Sequence, residues 1–310
     1  MGIDLLELNN PLCEQCKNKE TRHTDSYGIC SKVKSVTDEK SVRCIGDWGK
    51  SKIYYLTQYF GIFSQGMKNR FAGNLNYIEI CSGPGRCICR EDGNEIDGTP
   101  LAIIKHQYFV NISAAYFVDY SASVVATLNE RISTIDSSGK SKAYIGDYKK
   151  TDTLEPIVKS INKNGLNLVF IDPTDCSVPF FTVKYLAENL GRVDFLINVA
   201  IYTDAARNFS NIVNRNYDRD KYNSFLGCDF FSRQDIIKAV KENNNVEIRN
   251  KFKEAYKESL MNIGYKFFDL KKIGNYYDLL YASKNEKGLD FWKKATKYDP
   301  YNQKELDLGL

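Results

Sequence analysis

Asn74-Leu75-Asn76-Tyr77-Ile78-Glu79-Ile80-Cys81-Ser82-Gly83-Pro84-Gly85-Arg86 decides the fold class. Its apolar run, Tyr77 to Ile80, stops at a glycine turn, so it reads as a strand that the chain leaves abruptly. Upstream, Ile53, Leu56, Phe60, Phe63 and Met67 recur at steps of three and four, one apolar face of a helix. Downstream the alternation repeats. Short helices are expected at 100–106, 123–132, 154–161 and 183–190. Strands are expected at 114–118, 142–145, 166–171 and 193–199, the first stopping at Asp119, the second at Gly146-Asp147 and the third at Asp172-Pro173. Continuously apolar strands are those covered by helices on both faces. With right-handed crossovers the pattern gives an α/β fold, a doubly wound and mostly parallel sheet. Residues 265–270 and 277–282 alternate around Gly274-Asn275 and predict a closing antiparallel hairpin. Residues 201–262 are polar and mixed in charge, with a helix near Phe252, Tyr256 and Leu260, and read as a helical insertion.

The division expected is a small Cys-rich segment over residues 1–46 and a Rossmann-like domain over residues 47–310 that holds the insertion. The chain has 310 residues, 43% of them hydrophobic, enough for a core without disulfides. No run reaches the roughly 18–20 apolar residues of a membrane span. The first residues lack a basic lead and an apolar core, so no signal peptide is expected. A cytoplasmic protein with no membrane partner follows by elimination. The net charge of +4, from 43 Lys and Arg against 39 Asp and Glu, permits a nucleic-acid partner without demanding one.

Ligands of open parallel sheets bind beyond the carboxyl ends of the strands. The polar groups expected there fall in the order that S-adenosylmethionine (SAM) requires. Glu79, Gly83, Pro84 and Gly85 form the turn where backbone N–H groups take the methionyl carboxylate. Asp119 suits the two ribose hydroxyls, since a carboxylate accepts two hydrogen bonds. Asp147 is placed for the adenine amino group; a plain helix-capping role weighs evenly against this. Asp172 and Pro173 are the candidate catalytic pair. NAD is the rival ligand, but no third glycine follows Gly83 and Gly85 as the dinucleotide fingerprint requires. With only His23 and His106, a histidine-based triad is not expected.

Four blocks resemble the three-Cys-motif partner protein family (TcmP). They are Gly46-Asp47-Trp48 with Lys50-Ser51-Lys52, residues 77–86, Asp97-Gly98-Thr99-Pro100-Leu101-Ala102, and Val169-Phe170-Ile171-Asp172-Pro173. The ending 280–283 with Phe291-Trp292 fits as well, so the likeness spans residues 46 to about 295. The resemblance implies a methyltransferase-type Rossmann fold and a genomic partnership with a separate cysteine-motif protein, of prokaryotic kind. It implies no settled reaction. Glu79 stands where the family has Asp, Cys81 where it has Phe, and Thr174-Asp175 follow the Asp-Pro. Asp175 cannot stack a base as the aromatic of an Asp-Pro-Pro-Tyr methyltransferase does. Three functions follow, in this order: a SAM-binding protein acting on nucleic acid or a nucleotide-derived group, a non-catalytic partner module, and a metal-dependent nuclease using Asp119, Asp147 and Asp172.

Nine cysteines, an odd and uneven set, argue against a disulfide framework. Cys13-Glu14-Gln15-Cys16 is half of a zinc knuckle, and Cys30 and Cys44 complete a four-cysteine set, with His23 as an alternative ligand. The competing reading is a tail without metal. Cys81, Cys87 and Cys89 match no iron–sulfur spacing and are expected to be buried or half-buried thiols beside the turn. Arg86 reads equally as an anion contact or a solvated loop residue. Tyr202, Tyr217 and Tyr222 among Arg207, Arg215, Arg219 and Lys221 suit a stacking surface, but the nearby Asp204, Asp218 and Asp220 favour a solvated face.

Overall fold

The computed structural model describes residues 7–16 and 21–300. These divide into two compact units, within Met1–Asp147 plus Asp290–Leu310 and within Tyr148–Leu289. The first runs β1 (Leu8–Asn9), β2 (Ile29–Lys34), β3 (Ser41–Ile45), α1 (Trp48–Met67), β4 (Leu75–Ile80), β5 (Arg86–Cys89), β6 (Asn94–Asp97), α2 (Thr99–Ile104), β7 (Ala114–Asp119), α3 (Ala122–Ile135) and β8 (Ser141–Ile145). The second runs α4 (Thr151–Ser160), β9 (Leu166–Ile171), α5 (Phe180–Asn189), β10 (Arg192–Val199), a π-helical turn (Ile201–Ala205), α6 (Ala206–Arg215), α7 (Arg219–Leu226), α8 (Gln234–Lys241), α9 (Asn245–Asn262), β11 (Phe267–Ile273) and β12 (Tyr277–Ser283), after which α10 (Glu286–Ala295) begins.

In the first unit the strands follow the order β4-β7-β8, and in the second β11-β12-β10-β9. Strand β4 pairs parallel with β7, β7 with β8 and β9 with β10, while β12 is antiparallel to both β10 and β11. The α/β class and the closing hairpin are thus as the sequence predicts. Every residue of β4 is buried, which is why its alternation is lost and the run is apolar on both faces. Helix α1 buries Ile53, Leu56, Tyr59, Phe60, Phe63 and Met67, and Trp292 meets Tyr59 edge-on at 5.7 Å. No helix of the described residues is long and apolar enough to cross a membrane.

The insertion is helical, as expected, and has its own aromatic core. Phe225 lies 6.0 Å from Phe252 and 4.8 Å from Tyr256, and Phe230 packs edge-on to Phe252. Tyr222 belongs to that core, only 1% exposed, with its hydroxyl donated to Asp204 at 2.8 Å. It is no stacking surface; Tyr217 is exposed.

A second sheet was not foreseen from the sequence. Its order is β1-β6-β5-β3-β2, so residues 86–97 leave the glycine turn as a hairpin and join the strands of the N-terminal segment. Strand β3 runs parallel to β5, with Cys44 opposite Ile88. Fully buried Glu95 holds the sheet together. It accepts hydrogen bonds from Ser35, from the Val36 backbone at 2.8 Å and from Arg86. Arg86 is therefore neither an anion contact nor a solvated residue. It is 6% exposed and pairs with Glu95 and, at 2.9 Å, with Asp97.

Candidate active site

The glycine turn follows directly on β4. Cys81 (φ 67°), Gly83 (φ 69°) and Gly85 (φ 90°) all take the left-handed conformation. A Cβ on Gly85 would meet Leu128 at 2.9 Å and Leu101 at 3.0 Å, so glycine is required there by both angle and space. Arg131, 3% exposed, reaches from α3 and donates to the Pro84 carbonyl at 2.7 Å and the Ser41 carbonyl at 2.9 Å. Its guanidinium also pairs with Asp38 at 2.7 Å. Burial alone would raise the Asp38 carboxyl; hydrogen bonds from Arg131 and from the Lys40 backbone outweigh it and hold the group at about 2.

Asp119 ends β7 and closes on the turn. One carboxylate oxygen accepts from the Gly83 backbone N–H at 2.9 Å and the other from that of Ser121 at 3.1 Å. A carboxylate has about four acceptor positions, so two remain. The neighbouring strand is tied in register, with Asp119 opposite Ile145 and the Gly146 N–H donating to the Asp119 carbonyl. Half-buried Asp147 follows at once. Two apolar side chains stand exposed at these paired strand ends, Tyr120 at 57% and Ile145 at 60%. A third feature that the sequence reading passed over is Arg43 on β3. One of its guanidinium nitrogens would lie 3.3 Å from a Cβ on Gly83, which places a cation against the turn.

Glu79 sits differently from the other strand-end groups. It is fully buried and accepts from the Tyr77 hydroxyl at 2.7 Å and from Thr99, so it braces the start of α2 from within. Cys87 is buried against Ile45, Ile53 and Ile96. Burial pushes the Cys89 thiol up, as do the hydrogen bonds it donates to Asp47 and Glu91. Both behave as structural thiols.

In the second unit Asp172 ends β9, 7% exposed. Asn198 on β10 donates to its carboxylate at 3.1 Å and to the Pro173 carbonyl at 2.8 Å. Burial raises the Tyr277 hydroxyl well above its ordinary range, and the negative charge of Asp172 adds to the effect. Asn198 and Tyr277 thus lie near Asp172; nothing in the sequence pairs them, because Asn198 comes 26 residues later and Tyr277 later still, on β12 beyond the insertion. Asp175 forms an ion pair with Lys221 at 2.9 Å, and Lys221 also holds Asp204 at 2.9 Å.

No family model matches the sequence, and no curated protein matches it. The chain is similar to several solved structures at low sequence identity. A Legionella pneumophila protein is 11% identical with a TM-score of 0.45, covering 81% of this chain and 92% of its own. Magnesium protoporphyrin IX methyltransferase from Synechocystis with bound SAM is 10% identical with a TM-score of 0.35, covering 78% and 85%. The Bacillus subtilis tRNA methyltransferase TrmK is 9% identical with a TM-score of 0.35, covering 72% and 65%.

Proposed function

We propose that the chain binds SAM in its first unit and is a SAM-dependent methyltransferase-like protein. The observation that carries this is Asp119 closing on the glycine turn, with exposed Tyr120 and Ile145 at the same strand ends. An acid with two acceptor positions to spare suits a ribose diol. An exposed aromatic and an exposed aliphatic group suit the faces of an adenine ring. Arg43 beside Gly83 suits the methionyl carboxylate through a charge-assisted hydrogen bond. Asp147 is assigned to the adenine amino group. When bound, SAM supplies an activated methyl group. The chain's own contribution is to align a nucleophile and exclude water. Asp172 is assigned to orient that nucleophile or take its proton, with Asn198 fixing its carboxylate. The substrate class proposed is a nucleic acid or a nucleotide-derived group.

Asp172→Asn tests the catalytic part. Methyl transfer is expected to fall by about a hundredfold or more, within the range of general acid–base effects, while SAM affinity is kept. Loss of SAM affinity together with turnover would place Asp172 in the cofactor site instead.

One observation favours a second reading, a binding module that works with a cysteine-motif partner protein. Asp175, in the position that would face a target base, is engaged by Lys221 of the insertion. Stoichiometric co-purification with such a partner, with no methylated product, would support that reading over the first.

A further inference from the structure

The four cysteines of the N-terminal segment line one cavity. Cys13 and Cys16 come from the loop after β1, Cys30 from β2 and Cys44 from β3. Cys13, Cys30 and Cys44 pack together against Val33, Val42 and Ile88, and all four thiols are free of disulfides. They are separated by up to 31 positions in sequence, yet the sheet gathers them, since the Cys44 N–H bonds to the Gly28 carbonyl and Cys30 follows on the same strand turn.

We propose that this cavity is a structural zinc site whose four ligands are the sulfurs of Cys13, Cys16, Cys30 and Cys44. Four sulfur donors in a closed set are what structural zinc takes. The loop between the first two has the form of a metal knuckle. Gln15 has φ 49°, and its backbone N–H donates to the Cys13 sulfur. Zinc bound by four thiolates carries a net charge of about −2, and the cavity wall is cationic. Arg90 donates to the Cys44 sulfur, and Arg22 lines the same wall. The Nε atoms of both arginines are buried without an acceptor. Metal-held thiolates accept such N–H groups and keep the ligands deprotonated. The segment also needs an organiser. Among the described residues of 7–46 the buried hydrophobic side chains are Val33, Val42 and Ile45. A metal supplies folding energy where apolar burial is this sparse.

The four sulfurs share one cavity wall but do not all lie within 4.8 Å of one another; Cys16 lies that close to groups on Glu14 and His23 instead. Those two are already paired at 3.3 Å, and Glu14 also holds Lys32 at 3.0 Å. Zinc prefers thiolate to an exposed carboxylate, so ligation draws Cys16 towards the other three sulfurs. The inference stands independently of SAM binding.

The test uses the full chain, purified under reducing conditions without chelator. Elemental analysis is expected to find one zinc per chain. The stripped and reduced chain titrated with cobalt(II) is expected to show the visible bands of tetrahedral thiolate-bound cobalt. Cys16→Ser, in an outer loop, is expected to leave the far-ultraviolet circular dichroism of the parallel strands and helices in place and to lose the metal, as is Cys30→Ser; His23→Ala is expected to keep it. A folded wild-type chain that holds no zinc and gives no cobalt bands would overturn the proposal. So would loss of metal in His23→Ala with retention in Cys16→Ser.

Discussion

Arg43 and Gly85 show what single residues contribute to the candidate site. Arg43 was invisible to sequence reading because its strand lies in the N-terminal segment, far along the chain from the turn it touches. If it takes the methionyl carboxylate, Arg43→Ala removes a charge-assisted hydrogen bond of about 1.5–3 kcal/mol. SAM affinity by calorimetry is then expected to fall at least about tenfold, with the melting temperature little changed. Gly85 was legible, since a glycine turn after a strand is a local signal. The structure adds the reason that no other residue fits, the contact with Leu101 and Leu128. Gly85→Ala is expected to destabilise the chain by about 2 kcal/mol through backbone strain and overpacking, read as a lower urea midpoint. Glu79 marks the limit of reading by position. Its place at a strand end was correct, but the burial that turns it inward to Tyr77 and Thr99 depends on α2 and cannot be read locally.

At the scale of elements, the long apolar strands and the helices between them were legible because each carries its own period. The hairpin β5–β6 was not. Arg86-Cys87-Ile88-Cys89 is four residues long and its thiols suggested a loop, while its partners on β3 lie some 40 residues earlier. Buried ion pairs make this second sheet cohere, and they have no period at all. Arg131 is the clearest case, since it joins α3 to Asp38, Ser41 and the Pro84 carbonyl. Arg131→Met leaves buried acceptors unpaired and is expected to cost about 3 kcal/mol. Denaturant unfolding measures this; a change within about 0.5 kcal/mol, as for an ordinary surface site, would mean the network carries little.

For the molecule as a whole, the class of fold followed from the order of elements, and the helical insertion from the break in that order. Its pH behaviour follows from burial. His106 packs edge-on to Phe60, and its Nδ1 accepts from the Tyr108 backbone, so the ring is neutral. Burial holds it down at about 4, against an ordinary value of about 6.5. The unfolded chain then binds more protons between those values, so this contribution is complete above about pH 6.5 and is lost as the pH falls towards 4. Asp38, held at about 2, contributes a second loss in a lower window, from its ordinary 3.8 down to about 2. Urea midpoints across the upper window are expected to fall with pH in the wild type and to flatten in His106→Leu; an unchanged slope would assign the effect elsewhere. The central claim, a SAM site at the ends of β4, β7 and β8, is tested most directly by calorimetric titration of SAM into the wild type and into Asp119→Ala, with NAD run alongside. The account predicts SAM binding that the substitution abolishes and no heat for NAD. Absence of SAM binding by the folded wild-type chain, or undiminished binding by the variant, would contradict it.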